Sequence, residues 1–217
     1  MMITRYAKIV MVACLAIFCL LVVFNNLTDY DTNHLFVKRV LSMDTTFAGN
    51  PLLYRSVTHP VLTHFSYWLI ILGEAIAGIL FLAGAIRLWQ VRSAPAPEFN
   101  GAKGLVVVGA LAAFIVWFFL FMVIAGEWFV MWQSTSWNAQ QAAFRLYVTV
   151  LVVLIFVNQA DGDLPKPAKP AKPAPAKRAP AKRSPAKRAS AEKPAPAKKR
   201  TPTRRRIDKG RRRTDTE

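Results

Sequence analysis

The amino-acid sequence predicts an all-α integral membrane fold: four transmembrane helices, an amphipathic helix in the first outer loop, and a disordered basic C-terminal tail. Three observations carry this. Apolar runs at about residues 7–27, 67–88, 105–125 and 142–158 come close to the roughly 20 residues that cross a hydrocarbon core. Charge is divided unevenly: residues 1–164 hold nine Lys/Arg against eight Asp/Glu, and residues 165–217 hold twenty against four. Tryptophans and turn-forming residues gather between the runs, as they do at headgroup level. A nearly neutral membrane domain, 1–164, thus carries a Lys/Arg/Pro/Ala-rich appendage, 165–217, that accounts for almost all of the net charge of +17.

The first run lies behind Arg5 and Lys8 and ends in Phe24-Asn25-Asn26. It is longer than a signal-peptide core and lacks a small-residue cleavage site, so it reads as an uncleaved helix. Cys14 and Cys19 sit within it, five residues apart and on different faces, which argues against a mutual disulfide. In the first outer loop, residues 28–65, Phe36, Val37, Val40, Leu41 and Met43 share one helical face, and His34, Lys38, Arg39 and Ser42 the other. That spacing predicts a short helix lying on the membrane surface, with Asp31, Thr32 or Asn33 as N-cap. Turn chemistry at Asp44-Thr45-Thr46 and Gly49-Asn50-Pro51 follows, then a second short helical stretch over Leu52 to Val57.

The second span, beginning at Tyr67, is apolar for almost its whole length yet carries Glu74 well inside. An acid at that depth is costly unless it faces protein or water. The third span is aromatic in its far half, and Trp128, Trp132 and Trp137 follow it. Gly73 with Ala77, and Gly109 with Ala113, supply the small-residue pairs that let membrane helices approach. The fourth span is short and ends at Asn158-Gln159-Ala160-Asp161. Four spans leave both termini on one side. Arg5, Lys8, Arg87, Arg92, Lys103 and the tail lie there, against Lys38, Arg39, Arg55 and Arg145 on the other. The Lys/Arg bias therefore predicts cytoplasmic termini.

Three stretches carry a family resemblance. They are Asn25-Asn26-Leu27-Thr28-Asp29-Tyr30, then Val40-Leu41-Ser42-Met43-Asp44-Thr45-Thr46-Phe47 with Gly49-Asn50, and Glu127-Trp128-Phe129-Val130-Met131-Trp132-Gln133-Ser134 with Trp137-Asn138 and Phe144-Arg145. Over about residues 1–160 the chain resembles the bacterial predicted small integral membrane proteins of unknown function. The resemblance implies a four-helix protein of a bacterial cytoplasmic (inner) membrane with no established activity. Members of that family often carry His at the position of Arg39, Trp at Tyr54 and Gly at Ala139, which weakens any role needing a histidine at that first-loop position. The tail lies outside the resemblance.

The residues singled out for function or structure are Glu74, Arg145, Glu127, Asp44, Trp132, Gln133, Trp137 and Asn138. Glu74 lies about 12 Å below the outer end of its span and Arg145 a few residues into the fourth, so a Glu74–Arg145 ion pair is within reach of a long side chain. Glu127 is a rival partner for Arg145, and a backbone carbonyl or Trp117 a rival for Glu74. Asp29, Asp31, His34, His59 and His64 also face outward, but His59 and His64 flank Pro60 and do not make the one-faced pair of a zinc helix. No cofactor or metal is called for. Neither a nucleophile elbow nor a phosphate loop is present, and neither broken helices nor internal repeats support a transporter.

In the tail, Pro-Ala-Lys-Arg recurs with a period of five, giving Lys177, Arg178, Lys182, Arg183, Lys187 and Arg188, followed by Arg204, Arg205, Arg206, Arg211, Arg212 and Arg213. Such density of proline and like charge excludes helix and sheet. Phosphates of anionic lipid or nucleic acid are its natural partners, without base reading because aromatics are few. The leading reading is a non-enzymatic membrane subunit or scaffold, with the bilayer, a homo-oligomer or another membrane protein as partner. The alternatives are a membrane enzyme or redox or metal-binding component using the outer loops and Glu74, and a small transporter or channel subunit acting on an unknown small molecule.

Overall fold

A backbone in hydrocarbon must satisfy its own amides and carbonyls, so each apolar run closes into a helix. The computed structural model describes residues 2–165 and contains four helices long and apolar enough to cross a membrane: Met2–Thr28, Pro60–Gln90, Ala96–Trp128 and Gln140–Asn158. In chain order the elements are α1 (Met2–Thr28), α2 (Tyr30–Ser42), a 3-10 turn at Leu53–Arg55, α3 (Pro60–Gln90), α4 (Ala96–Gly101), α5 (Gly104–Phe114), a 3-10 turn at Met131–Gln133, and α6 (Gln140–Asn158). From Ile115 to Trp128 the third span continues α5 as a wider π-helical coil. The tail cations from Lys177 to Arg213 lie outside the described residues.

The bundle runs up and down, and α3 is its central member. One side of α3 packs along α1 and the other along α5, while α6 closes mainly on the third span. Small residues set these approaches. A Cβ on Gly84 would lie 2.9 Å from Val106 Cγ2, and one on Gly109 3.2 Å from Leu80 Cβ, so the two glycines sit where α3 and α5 approach closely and a side chain at either would make neighbours shift. Ala77 and Ala113 are fully buried in the same core, and Gly73 faces Val116. Cys14 is exposed and Cys19 buried, and both are free thiols.

Three expectations for the first outer loop are corrected. First, α3 begins at Pro60 and not at Tyr67, with proline in the first turn where its missing amide costs nothing. Its 31 residues measure about 46 Å against a hydrocarbon core of about 30 Å, more than a single crossing needs. Second, the apolar face of α2 meets protein. Val37, Val40 and Leu41 are buried with Met43 against Tyr67, Ile71, Phe129 and Met131. Third, Asp31, Thr32 and Asn33 do not cap α2. The break is at Asp29, and Asp29 N–H to Asn25 O (2.9 Å) and Asn33 N–H to Asp29 O (3.3 Å) carry hydrogen bonding across it. The stretch Leu52 to Val57 is reduced to the turn at Leu53–Arg55.

Candidate functional site: polar clusters at the two ends of the bundle

At the end that holds the start of α1, four charged side chains leave solvent together. Lys8 and Lys103 both donate to the same two oxygens: Asp161 Oδ2 (2.6 and 2.7 Å) and the Gln159 carbonyl (2.7 Å each). Asn100 braces them, accepting from Lys103 Nζ at 2.7 Å and from Asp161 N–H at 3.0 Å. Arg5 donates to the carbonyls of Arg92 (2.9 Å), Ala94 (2.6 Å) and Gly162 (3.1 Å), with its guanidinium 4.5 Å over the Phe99 ring. Asp163 accepts the Ala96 N–H at 2.8 Å. Burial alone would raise the Asp161 carboxyl, but the Lys103 and Lys8 ammonium groups bonded to it outweigh burial and hold it below its ordinary value. The chain from Gln159 to Asp163 is thereby stitched to α1 and to the connection between α3 and α5, immediately before the basic tail begins.

At the opposite end, polar groups form a column along α1, α2 and α3. Asn26 Nδ2 donates to Glu74 Oε2 at 2.7 Å, and the Tyr67 hydroxyl donates to the Asn26 carbonyl at 2.9 Å. Tyr30 meets Tyr67 edge-on at 4.9 Å, and its hydroxyl bonds His64 Nδ1 at 2.8 Å. His34 stacks on His64 with ring centroids 3.8 Å apart, and its Nε2 bonds the Thr63 hydroxyl at 3.1 Å. Partial burial, then the neighbouring His64 and Lys38, push His34 below its ordinary pKa, against the opposing pull of Asp31.

The expected Glu74–Arg145 pair is absent. Arg145 lies on the exposed face of α6, which packs on the third span, and makes no ion pair among the described residues. Depth along two helices was compatible with contact, but rotation about the α6 axis turns Arg145 away. Glu127 is likewise exposed and has no ion pair among the described residues, so it does not hold Arg145 either. Trp117 is buried without bonding Glu74, whose carboxylate is bonded by Asn26.

Two of the remaining sequence candidates, Gln133 and Trp132, meet the first loop in a clamp. Gln133 Oε1 accepts from Phe47 N–H and from Asn50 Nδ2, each at 3.1 Å. Thr45 and Ser134 hydroxyls meet at 2.8 Å, and Trp132 stands edge-on to Phe47 at 5.8 Å. Trp137 packs near Phe36, and Asn138 Oδ1 receives the Gln140 N–H at 3.0 Å at the start of α6. Asp44 pairs with Arg39 on a half-exposed surface, where such pairs contribute little. Sequence reasoning missed the cluster of Arg5, Lys8, Lys103 and Asp161 because end-of-span charges report orientation first. The available signal was Asp161, an acid that closes the fourth span beside a largely basic end.

No group of three or more His, Cys, Asp or Glu that could hold a metal ion occurs among the described residues. No curated protein and no solved structure matches the chain. The family model that does match covers residues 4–160, which takes in all six helices, both outer loops and most of the residues that build both polar clusters. The chain therefore belongs to the predicted small integral membrane protein family DUF2165.

Proposed function

We propose that the protein is a non-enzymatic membrane subunit or scaffold that anchors its polycationic tail at the cytoplasmic face of a bacterial inner membrane. There the tail contacts the phosphates of anionic lipid or nucleic acid. The observation that carries this reading is the buried bonding of Asp161 to Lys8 and Lys103. It ties Gln159 to Asp163, the residues just before the twenty Lys/Arg of 165–217 in the sequence, to the end that also carries Arg5, Arg92 and Lys103. Cations concentrated on one side match the orientation set by Lys/Arg bias, and a polybasic segment next to a membrane favours anionic surfaces.

The test uses the full-length protein in nanodiscs of neutral lipid, titrated with duplex DNA and, separately, with vesicles containing phosphatidylglycerol. Binding should weaken steeply with salt, for DNA with a log–log slope of about −0.9 per phosphate neutralised. Removal of residues 165–217 should abolish it. Binding that survives this removal, or none at low salt, would overturn the proposal. Reporters fused after Leu164 should be active only if they work in the cytoplasm, and those inserted near Asn50 only if they work outside.

The column from Glu74 to the His34–His64 stack favours a second reading, a component that handles protons or a metal from the outer face. A bound metal or a visible chromophore in the purified protein would support it over the first.

A further inference from the structure

Beneath α2 lies a cavity of about 350 Å³, walled by Val37 and Val40 of α2, Leu69 and Ile70 of α3, and Phe121 and Ile124 of the third span. Ser66 is the one polar side chain in its lining. The volume is at the lower end of the roughly 300–1,000 Å³ typical of ligand sites. A lining so nearly free of donors and acceptors suits an alkyl chain and not a polar metabolite. The walls come from the outer ends of two spans, which places the cavity beside the outer-leaflet hydrocarbon.

A cation stands close by. Val57 and Phe129 also line the cavity; Val57 follows Arg55 by two residues, and Phe129 follows Trp128, which Arg55 contacts. The Arg55 guanidinium lies 4.8 Å over the Trp128 ring, donates to the Trp128 carbonyl at 3.3 Å, and its Nε reaches the Tyr54 hydroxyl at 3.3 Å. It makes no ion pair among the described residues. Tyr54 and Trp128 are exposed aromatics of the kind that mark headgroup level. A fixed cation at headgroup level above an apolar cavity is complementary to one amphiphile: an anionic head with a hydrocarbon tail.

We infer that this cavity is a binding site for one anionic phospholipid of the outer leaflet, with an acyl chain under α2 and the phosphate on Arg55. This does not depend on residues 165–217.

The test is native mass spectrometry of the full-length protein released from nanodiscs of equimolar phosphatidylglycerol and phosphatidylcholine. One phosphatidylglycerol should remain bound. Arg55→Gln should cut its preference over phosphatidylcholine about tenfold, the lower end of what a charge-assisted hydrogen bond contributes. Arg55→Lys should recover part of it. Ala125→Phe and Ser66→Phe fill the cavity from opposite walls, and whichever stays monodisperse should lose the retained lipid of either kind. Equal retention by a monodisperse cavity-filled variant would identify annular lipid and overturn the site. Equal retention of the two lipids by the unaltered protein would overturn the role of Arg55.

Discussion

At the residue scale, Asp161 is the side chain on which most depends. One carboxylate receives two ammonium groups, and all three are nearly withdrawn from solvent. Removing one partner of a buried charge set leaves the others uncompensated, at about 3–5 kcal/mol. Asp161→Asn should therefore lower the thermal midpoint in detergent sharply, and Lys8→Met combined with it should cost less than the sum of the two. The pH dependence follows from the direction of the shift. A carboxyl held below its ordinary 3.8 contributes stability that is present above that value and is lost as pH falls through the lower folded value. The Asp161 contribution should thus be insensitive to pH across the neutral range. Glu74 behaves differently, since its partner is the neutral amide of Asn26. Glu74→Gln keeps an acceptor for that amide and should change stability by less than about 0.5 kcal/mol, whereas Glu74→Ala loses a hydrogen bond of about 1 kcal/mol and leaves a cavity. With no contact between them, Glu74→Gln and Arg145→Ala should be additive, and a coupling above about 0.5 kcal/mol would contradict the observed separation.

At the scale of elements, α2 is held over a cavity. It joins α1 with a one-residue break, packs an apolar face on α3 and the third span, and leaves a cavity beneath that face. Its polar bonds to α3 are those of His34 with Thr63 and of Tyr30 with His64, on which His34 stacks. The groups facing His34 are Tyr30, Asp31 and Lys38 on α2, and His64 and Tyr67 on α3. Because His34 is held below its ordinary 6.5, the folded state disfavours its protonation, so this contribution is full above about that pH and is lost as pH falls. Amide hydrogen exchange in α2 should accelerate on acidification relative to α3, after correction for intrinsic rates, and His34→Gln should remove the difference. The spans were legible in the sequence because length and hydropathy fix them regardless of partners. The first two turns of α3 were not, because Pro60 to Ser66 mixes His and Thr with apolar residues while remaining helical. Helical spacing found the apolar face of α2 but could not tell lipid from protein as its cover. Residue spacing likewise gave the depth of Glu74 and Arg145, and the rotation of α6 decided against their contact.

At the scale of the whole molecule, polar chemistry is placed at the two ends, with the apolar bundle core between them. The end that carries the two loops is closed by contacts between them, chiefly through Gln133. The opposite end is closed by charge, and its last member in the chain is the segment Gln159 to Asp163. That arrangement sets where the membrane domain can be cut. Ending the chain after Leu164 removes twenty Lys/Arg but leaves Asp161, Gly162 and Asp163 bonded to Lys8, Lys103, Arg5 and the Ala96 amide. Ending it after Asn158 leaves α6 intact yet takes the carboxylate away from Lys8 and Lys103, two cations that the bundle has taken out of solvent. The first truncation should insert in the membrane and unfold in detergent within a few degrees of the full-length protein. The second should lose most of its folded yield, although the residues removed between the two cut points contain no part of any helix. Size-exclusion profiles and thermal midpoints of the two would decide the matter. Equal behaviour would mean that the cations find water or lipid phosphate once Asp161 is gone, and that the charged end does not hold the bundle together.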